Sequence, residues 1–207
     1  MNTKAPRWQR RADDRPREIC AAALEVFAEK GFAAAKLDEI ARQAGVSKGT
    51  LYLYFKDKEE LFRAVVRSAI SPNIALLSQS LDAADLPFAA LFPMLIERFA
   101  AMTRQVPIGA VAKMVIGESR NFPELAKVWH DEVVAKGLDT VTELVTRAQE
   151  RGELKPVDPR LVGFSLMGPM MMGVLWSEIL VPAGAEPIDI EALARQHAAI
   201  VLSGLSQ

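Results

Sequence analysis

The chain has 207 residues, half of them hydrophobic and a quarter charged, which fits a soluble globular protein with a substantial core. One cysteine, Cys20, excludes an intrachain disulfide framework, and no apolar run of signal-peptide type precedes Ile19, so a cytoplasmic protein is expected. The net charge of −1 is uninformative by itself, but residues 1–67 carry 14 Lys/Arg against 10 Asp/Glu and residues 68–207 carry 11 against 16. A basic head on an acidic body points one end of the molecule at an anionic partner.

Residues 1–13 are polar and basic without periodicity and read as a flexible arm. A first helix is expected from Asp14–Pro16, carried by Ile19, Ala23 and Phe27 at helical spacing and stopped at Gly31. A short helix over about 37–44, a turn at Gly45 and a third helix over 48–55 follow. Asp57 to Glu60, DKEE, reads as a capping box opening a longer helix through Leu61, Phe62, Val65, Val66 and Ala69, which Pro72 kinks or divides. Helical runs over about 87–104, 107–119, 123–151, 159–181 and 189–205 complete an all-α chain of about nine helices. The division expected is a helical unit over 14–70, with a helix-turn-helix at about 37–55, and a larger helical body over 71–207.

The stretch GVSKGTLYLYF, residues 45–55, carries the functional signal. Ala41 lets two short helices cross closely, Gly45 accepts a positive φ, and Ser47 is placed to cap the third helix. At about 100° per residue, Leu51 and Phe55 share an inward face, leaving Gly49, Thr50, Tyr52 and Leu53 outside with Lys48 at the margin. That outer mix suits a major groove. Free amides at the helix start attract phosphate, Gly49 permits close approach, Lys48 and Thr50 reach base edges, and Tyr52 and Leu53 touch sugars or thymine methyls.

Residues 17–62, with Gly31-Phe32, Ile40-Ala41, AGVSKGTLY, Phe55 and KDKEELF, strongly resemble the N-terminal module of the TetR family of transcriptional regulators. The resemblance implies an Ω-shaped homodimer whose recognition helices enter successive major grooves of a near-palindromic operator, and repression relieved by a small molecule. Family contacts carried over fall on Ser47, Lys48, Gly49, Thr50, Tyr52, Tyr54 and Lys58. Lys36 stands where the family commonly has a capping Ser or Thr and is expected to meet phosphate directly; Tyr54 stands where histidine is frequent. Arg7, Arg10 and Arg11 could probe a minor groove as in some relatives, or form a solvated tail. ESRNFPELA, Glu118 to Ala126, resembles the link between two middle helices of multidrug- or lipid-responsive members.

In the body, residues 161–177 contain no charge. The run to Val181 is long enough for a membrane anchor, but three glycines, Pro169 and the lack of flanking basic clusters favour a core helix lining a cavity and meeting its twin. The homodimer is expected through the last two helices, about 159–181 and 189–205. Phe99, Met102, Met114, Trp129, Met167, Met171 and Trp176 form an adaptable apolar inventory for a lipophilic inducer. Glu178 is the candidate carboxylate, expected to have a partner. Adjacent His130, Asp131 and Glu132 diverge around a helix, so no metal is expected; Cys20 has no activating histidine nearby in sequence, so no catalytic residue is expected, nor any cofactor. A membrane-associated regulator and a protein-interaction module without DNA binding are the alternatives.

Overall fold

The computed structural model describes residues 7–82 and 86–205 of the chain. The chain enters as α1 (Arg7–Ala34), which breaks its helical backbone at Gly31, then α2 (Leu37–Gln43) and α3 (Lys48–Tyr54). α4 (Lys58–Val65) runs through a wide π-helical turn, Val66–Ile70, into α5 (Ser71–Asp82). α6 (Phe88–Gln105), α7 (Ile108–Glu118) and α8 (Pro123–Trp129) follow, the last continuing through a second π-helical turn, His130–Val134, into α9 (Ala135–Glu150). α10 (Pro159–Leu175), with its own π-helical end at Trp176–Leu180, and α11 (Ile190–Leu205) close the chain. With α4–α5 and α8–α9 each counted as one rod, the described residues form nine helices, the all-α architecture expected.

Two boundaries differ from the sequence reading. α1 begins at Arg7 rather than near Asp14, because RWQRRADD contains no breaker and the helix runs through Pro16 despite its lost donor and crowding ring. Residues 1–6 and the side chains of Arg7, Arg10 and Arg11 lie outside the described part. Pro72 does not divide its helix. The preceding turn widens so that the Ser71 N–H reaches the Val66 carbonyl, and the Asn73 side-chain amide donates to the Ala69 carbonyl at 2.8 Å. The helix therefore runs on to Asp82.

Local capping explains the remaining junctions. Asp57 accepts from the Glu60 N–H at 2.7 Å, and the Glu60 carboxylate reaches back to the Lys56 N–H at 2.8 Å, one residue earlier than a standard capping box. In the head, α1 packs on α4 and the rings of Phe27, Phe32 and Phe62 meet with centroids 5.5 to 6.0 Å apart. Phe122, from the α7–α8 link, adds its ring to Phe32 at 5.0 Å. The buried apolar residues form one cluster from Ile19 in α1 to Ala198 in α11.

Among the described residues, Pro159–Leu180 is the one helix long and apolar enough to cross a membrane. It is built into the bundle instead. A Cβ at Gly163 would lie 2.8 Å from Leu138 of α9, and one at Gly173 would lie 2.7 Å from Leu193 of α11, so glycine there permits close packing. Gly168 has no such neighbour. Nor is the helix buried all round: Leu161, Phe164 and Met172 are exposed.

Candidate nucleic-acid interface and apolar cavity

The α2–α3 turn follows from Gly45. Its φ of 66° places it in the left-handed region, the Gly45 N–H donates to Arg42 and the Val46 N–H to Ala41, a Schellman closure. Ala41 is buried at that crossing. Ser47 then caps α3, accepting from the Thr50 N–H at 3.0 Å.

α3 turns Leu51 inward, with Phe55 buried just beyond its end, and presents the rest outward. Leu53 is 83% exposed and Tyr52 46%, an apolar surface that water alone does not explain. Gly49 is exposed, and an added Cβ would meet only the Ser47 hydroxyl at 3.8 Å, so packing does not demand glycine there. The Thr50 hydroxyl lies 2.8 Å from that of Ser47. Lys48 is held 2.7 Å from Asp38 of α2, a bond that raises its pKa. Tyr54 is exposed with its ring beside Phe55. Lys36 precedes α2 with extended backbone and an exposed side chain that makes no capping bond. Asp38 and Glu39 complement the free amides of that helix instead.

Lys58 departs from the sequence reading. Its ammonium points inward and donates to the carbonyls of Phe32, Ala33 and Ala35 at 2.5, 3.1 and 3.1 Å, and sits 4.5 Å from the centre of the Phe32 ring. Burial lowers its pKa. Carbonyls left free where α1 ends are satisfied by a charged donor, which leaves no proton of this ammonium turned toward an external phosphate.

In the body, a cavity of about 330 Å³ opens between α5, α6, α7, the end of α8, α9 and α10, with a lining that is almost wholly carbon. Of the ligand candidates named from the sequence, Phe99, Met102, Trp129, Met167 and Met171 stand on its wall. Met114, Trp176 and Glu178 do not. Met114 is buried in the core, and the Trp176 indole donates to the Glu186 carbonyl at 2.9 Å. Glu178 is half-buried with its Cγ against Gly109, and its main-chain carbonyl accepts from Lys113. Sequence reasoning missed the walls given by Ala112 and Ile116 of α7 and by Leu138, Thr140 and Val141 of α9. The spacing of Ala112, Leu138 and Val141 with their apolar neighbours is the same signal for core and for cavity, and nothing local marks Ile116 or Thr140.

An exposed recognition helix on a closed turn, joined by one rod to a helical body with an apolar cavity, defines a helical DNA-binding regulator. The pattern of bacterial regulatory proteins of the tetR family matches residues 19–65, and that of tetracyclin repressor-like C-terminal domains matches residues 92–187. The chain belongs to the TetR family of transcriptional regulators. It is 27% identical over 169 residues to the fatty acid metabolism regulator protein of Bacillus subtilis, covering 81% of both chains. It is 28% identical over 196 residues to the HTH-type transcriptional repressor KstR2 of Mycolicibacterium smegmatis, covering 92% of this chain and 90% of that one. Its fold matches the transcriptional regulator FadR from Bacillus subtilis in complex with stearoyl-CoA, with a TM-score of 0.75, 22% identity, and coverage of 91% and 98%.

Proposed function

We propose that the protein is a cytoplasmic repressor that binds a near-palindromic operator as a homodimer and is released by a small lipophilic ligand of the fatty acyl class. The cavity is the observation that carries this reading. Its volume of about 330 Å³ suits a hydrocarbon moiety, and its walls hold no charged side chain, Thr140 being the one hydroxyl among them. A ligand with a charged or bulky head group buries its chain and leaves that head at the rim, where exposed Ile116, Val134 and Phe164 stand. Kinship with a fatty acid metabolism regulator and the shared fold of a stearoyl-CoA complex support the class.

The operator contacts are assigned to Lys36, Ser47, Lys48, Gly49, Thr50, Tyr52 and Tyr54. The unit over 14–70 presents them, and the unit over 71–207 holds the ligand and pairs with a second copy. Pairing is assigned to the last two helices, about 159–181 and 189–205. There Leu161, Phe164, Gly168 and Met172 recur every three or four residues along the exposed side of α10, and Ile200 is exposed on α11.

Selection of bound sequences from random DNA tests the reading, followed by binding with and without dodecanoyl-CoA. The expected result is an inverted repeat with half-sites about 34–36 Å apart or a multiple of that spacing, bound by a dimer and released by the thioester. Recovery of no enriched sequence, or binding by a monomer, overturns the operator reading. Undiminished binding with saturating ligand overturns the release.

A further inference from the structure

α7 lines the cavity with Ile108, Ala112 and Ile116, and two residues beyond Ile116 it ends at Glu118. The carboxylate of Glu118 leaves the body and enters the head. Its Oε1 accepts from the Phe32 N–H at 2.8 Å and its Oε2 from the Ala33 N–H at 2.6 Å. Those amides lie just after the break at Gly31, in the segment that leads to Lys36 and α2. The carbonyls of the same segment, at Phe32, Ala33 and Ala35, are the ones held by Lys58. A five-residue connection is thus gripped by an acid on its donors and by a base on its acceptors.

Three further features mark the contact as built. An acid in the last turn of a helix opposes the helix dipole, so Glu118 does not serve α7 itself. Gly31 has φ 79°, so its backbone requires glycine, and a Cβ there would lie 2.5 Å from Glu118 Oε1, so any larger residue would push the carboxylate away. At the opposite end of α7, an added Cβ at Gly109 would lie 2.6 Å from Glu178 and 2.7 Å from Val174, so the helix is also pressed against α10 and its π-helical end. α7 is a short rod seated at both ends, with one cavity wall along its length.

We infer that Glu118 is the positioning residue that couples the state of the cavity to the DNA-binding face, with Lys58 as its counterpart on the same segment. The inference rests on the ligand-released repressor reading. A chain entering the cavity displaces α7 along or away from α10, and the carboxylate at its tip moves with it. Two adjacent amides then lose their acceptor together, and the segment that sets the start of α2, and through it α3, is released. Charge-assisted bonds to main-chain amides are strong and directional, so a displacement of about 1 Å suffices to break them.

The test uses full-length protein, Glu118→Ala and Glu118→Gln, a selected operator duplex, and dodecanoyl-CoA as the probe. Hydrogen exchange is followed in peptides covering residues 29–37, and operator affinity is measured with and without probe. In the unsubstituted protein the Phe32 and Ala33 amides should exchange at least tenfold faster once the probe binds. In Glu118→Ala they should be fast throughout, and the ratio of operator Kd with and without probe should fall toward one, while the probe's own Kd stays within about twofold. A purely structural role would weaken operator binding without changing that ratio. Glu118→Gln, which keeps one acceptor oxygen, should give an intermediate ratio and carries the test if the alanine variant does not fold. A retained ratio in both variants, or operator release with unchanged exchange at Phe32 and Ala33, overturns the inference. Should the unsubstituted protein bind no operator, the repressor reading fails separately, and equal protection of the two amides in wild type and Glu118→Ala overturns the strut itself.

Discussion

The Lys48 ammonium lies 2.7 Å from the Asp38 carboxylate, so the lysine best placed to meet a duplex is held by an acid on the preceding helix. Both side chains are more than half exposed, so the pair adds little to the stability of the fold. Its consequence is directional. The acid fixes where the lysine points before DNA arrives and repels a phosphate that would otherwise capture it.

Asp38→Asn should therefore tighten binding to arbitrary duplex DNA, while Lys48→Ala should weaken binding to the selected operator by about 1–3 kcal/mol. The discrimination between operator and scrambled duplex should shrink in both variants. Fluorescence anisotropy on the two duplexes at two salt concentrations reads this directly. An Asp38→Asn protein with undiminished discrimination would reject an orienting role for the acid.

Two glycines four residues apart should respond in opposite ways. Gly45 has φ 66° with open space around a would-be Cβ, so Gly45→Ala strains only the backbone and should cost about 1–2 kcal/mol. Gly49 is helical with no near neighbour, so Gly49→Ala should gain up to about 1 kcal/mol of stability while weakening operator binding at least tenfold. Thermal melting paired with anisotropy separates the two. A Gly49→Ala protein that binds as well as the parent removes backbone approach from the account.

The turn and recognition helix could be read from the sequence because every constraint on them is local. Gly45, Ser47, Leu51 and Phe55 lie within eleven residues, and each acts through helix geometry. Lys58 could not be read so. Its partners are carbonyls 23 to 26 residues earlier, and free carbonyls leave no mark on side-chain patterns. The cavity was half legible. Phe99, Met102, Trp129, Met167 and Met171 fall on its wall, but Met114 and Trp176 lie on other sides of equally apolar helices, where periodicity does not distinguish core from cavity. Glu118 was visible only as part of a familiar link, since its partners are amides 85 and 86 residues away.

Ala112 is almost fully buried and faces the cavity from α7. Ala112→Phe should fill that space with little disturbance, because the added ring occupies existing void rather than packed core. Operator binding should persist, and thermal stabilisation by dodecanoyl-CoA, about 2.7 kcal/mol at a hundredfold excess over Kd for a competent site, should vanish. Calorimetry with the parent and variant checks it. Unchanged ligand stabilisation in Ala112→Phe would place the ligand elsewhere.

Glu132 links the body to the π-helical turn after α4. Its carboxylate accepts from Lys136 and, at 2.6 Å, from Arg67 in the π-helical turn after α4, while its main-chain carbonyl accepts from Ser71 at 3.1 Å. The bonds from Lys136 and Arg67 hold its pKa below the usual 4.5. A carboxyl depressed on folding contributes stability that is fully present above its unfolded pKa and lost as pH falls through the folded value. Glu132→Gln should thus be less stable than the parent at pH 7, by about 1 kcal/mol, the low end for charged hydrogen bonds because both cationic partners are largely exposed. For a chain of this size that is a fall in melting temperature of about 2–4 °C. The gap should hold down to about pH 5 and narrow below it, since protonation removes from the parent what glutamine never had. A gap constant from pH 7 to pH 3 would show that the side chain acts through packing alone.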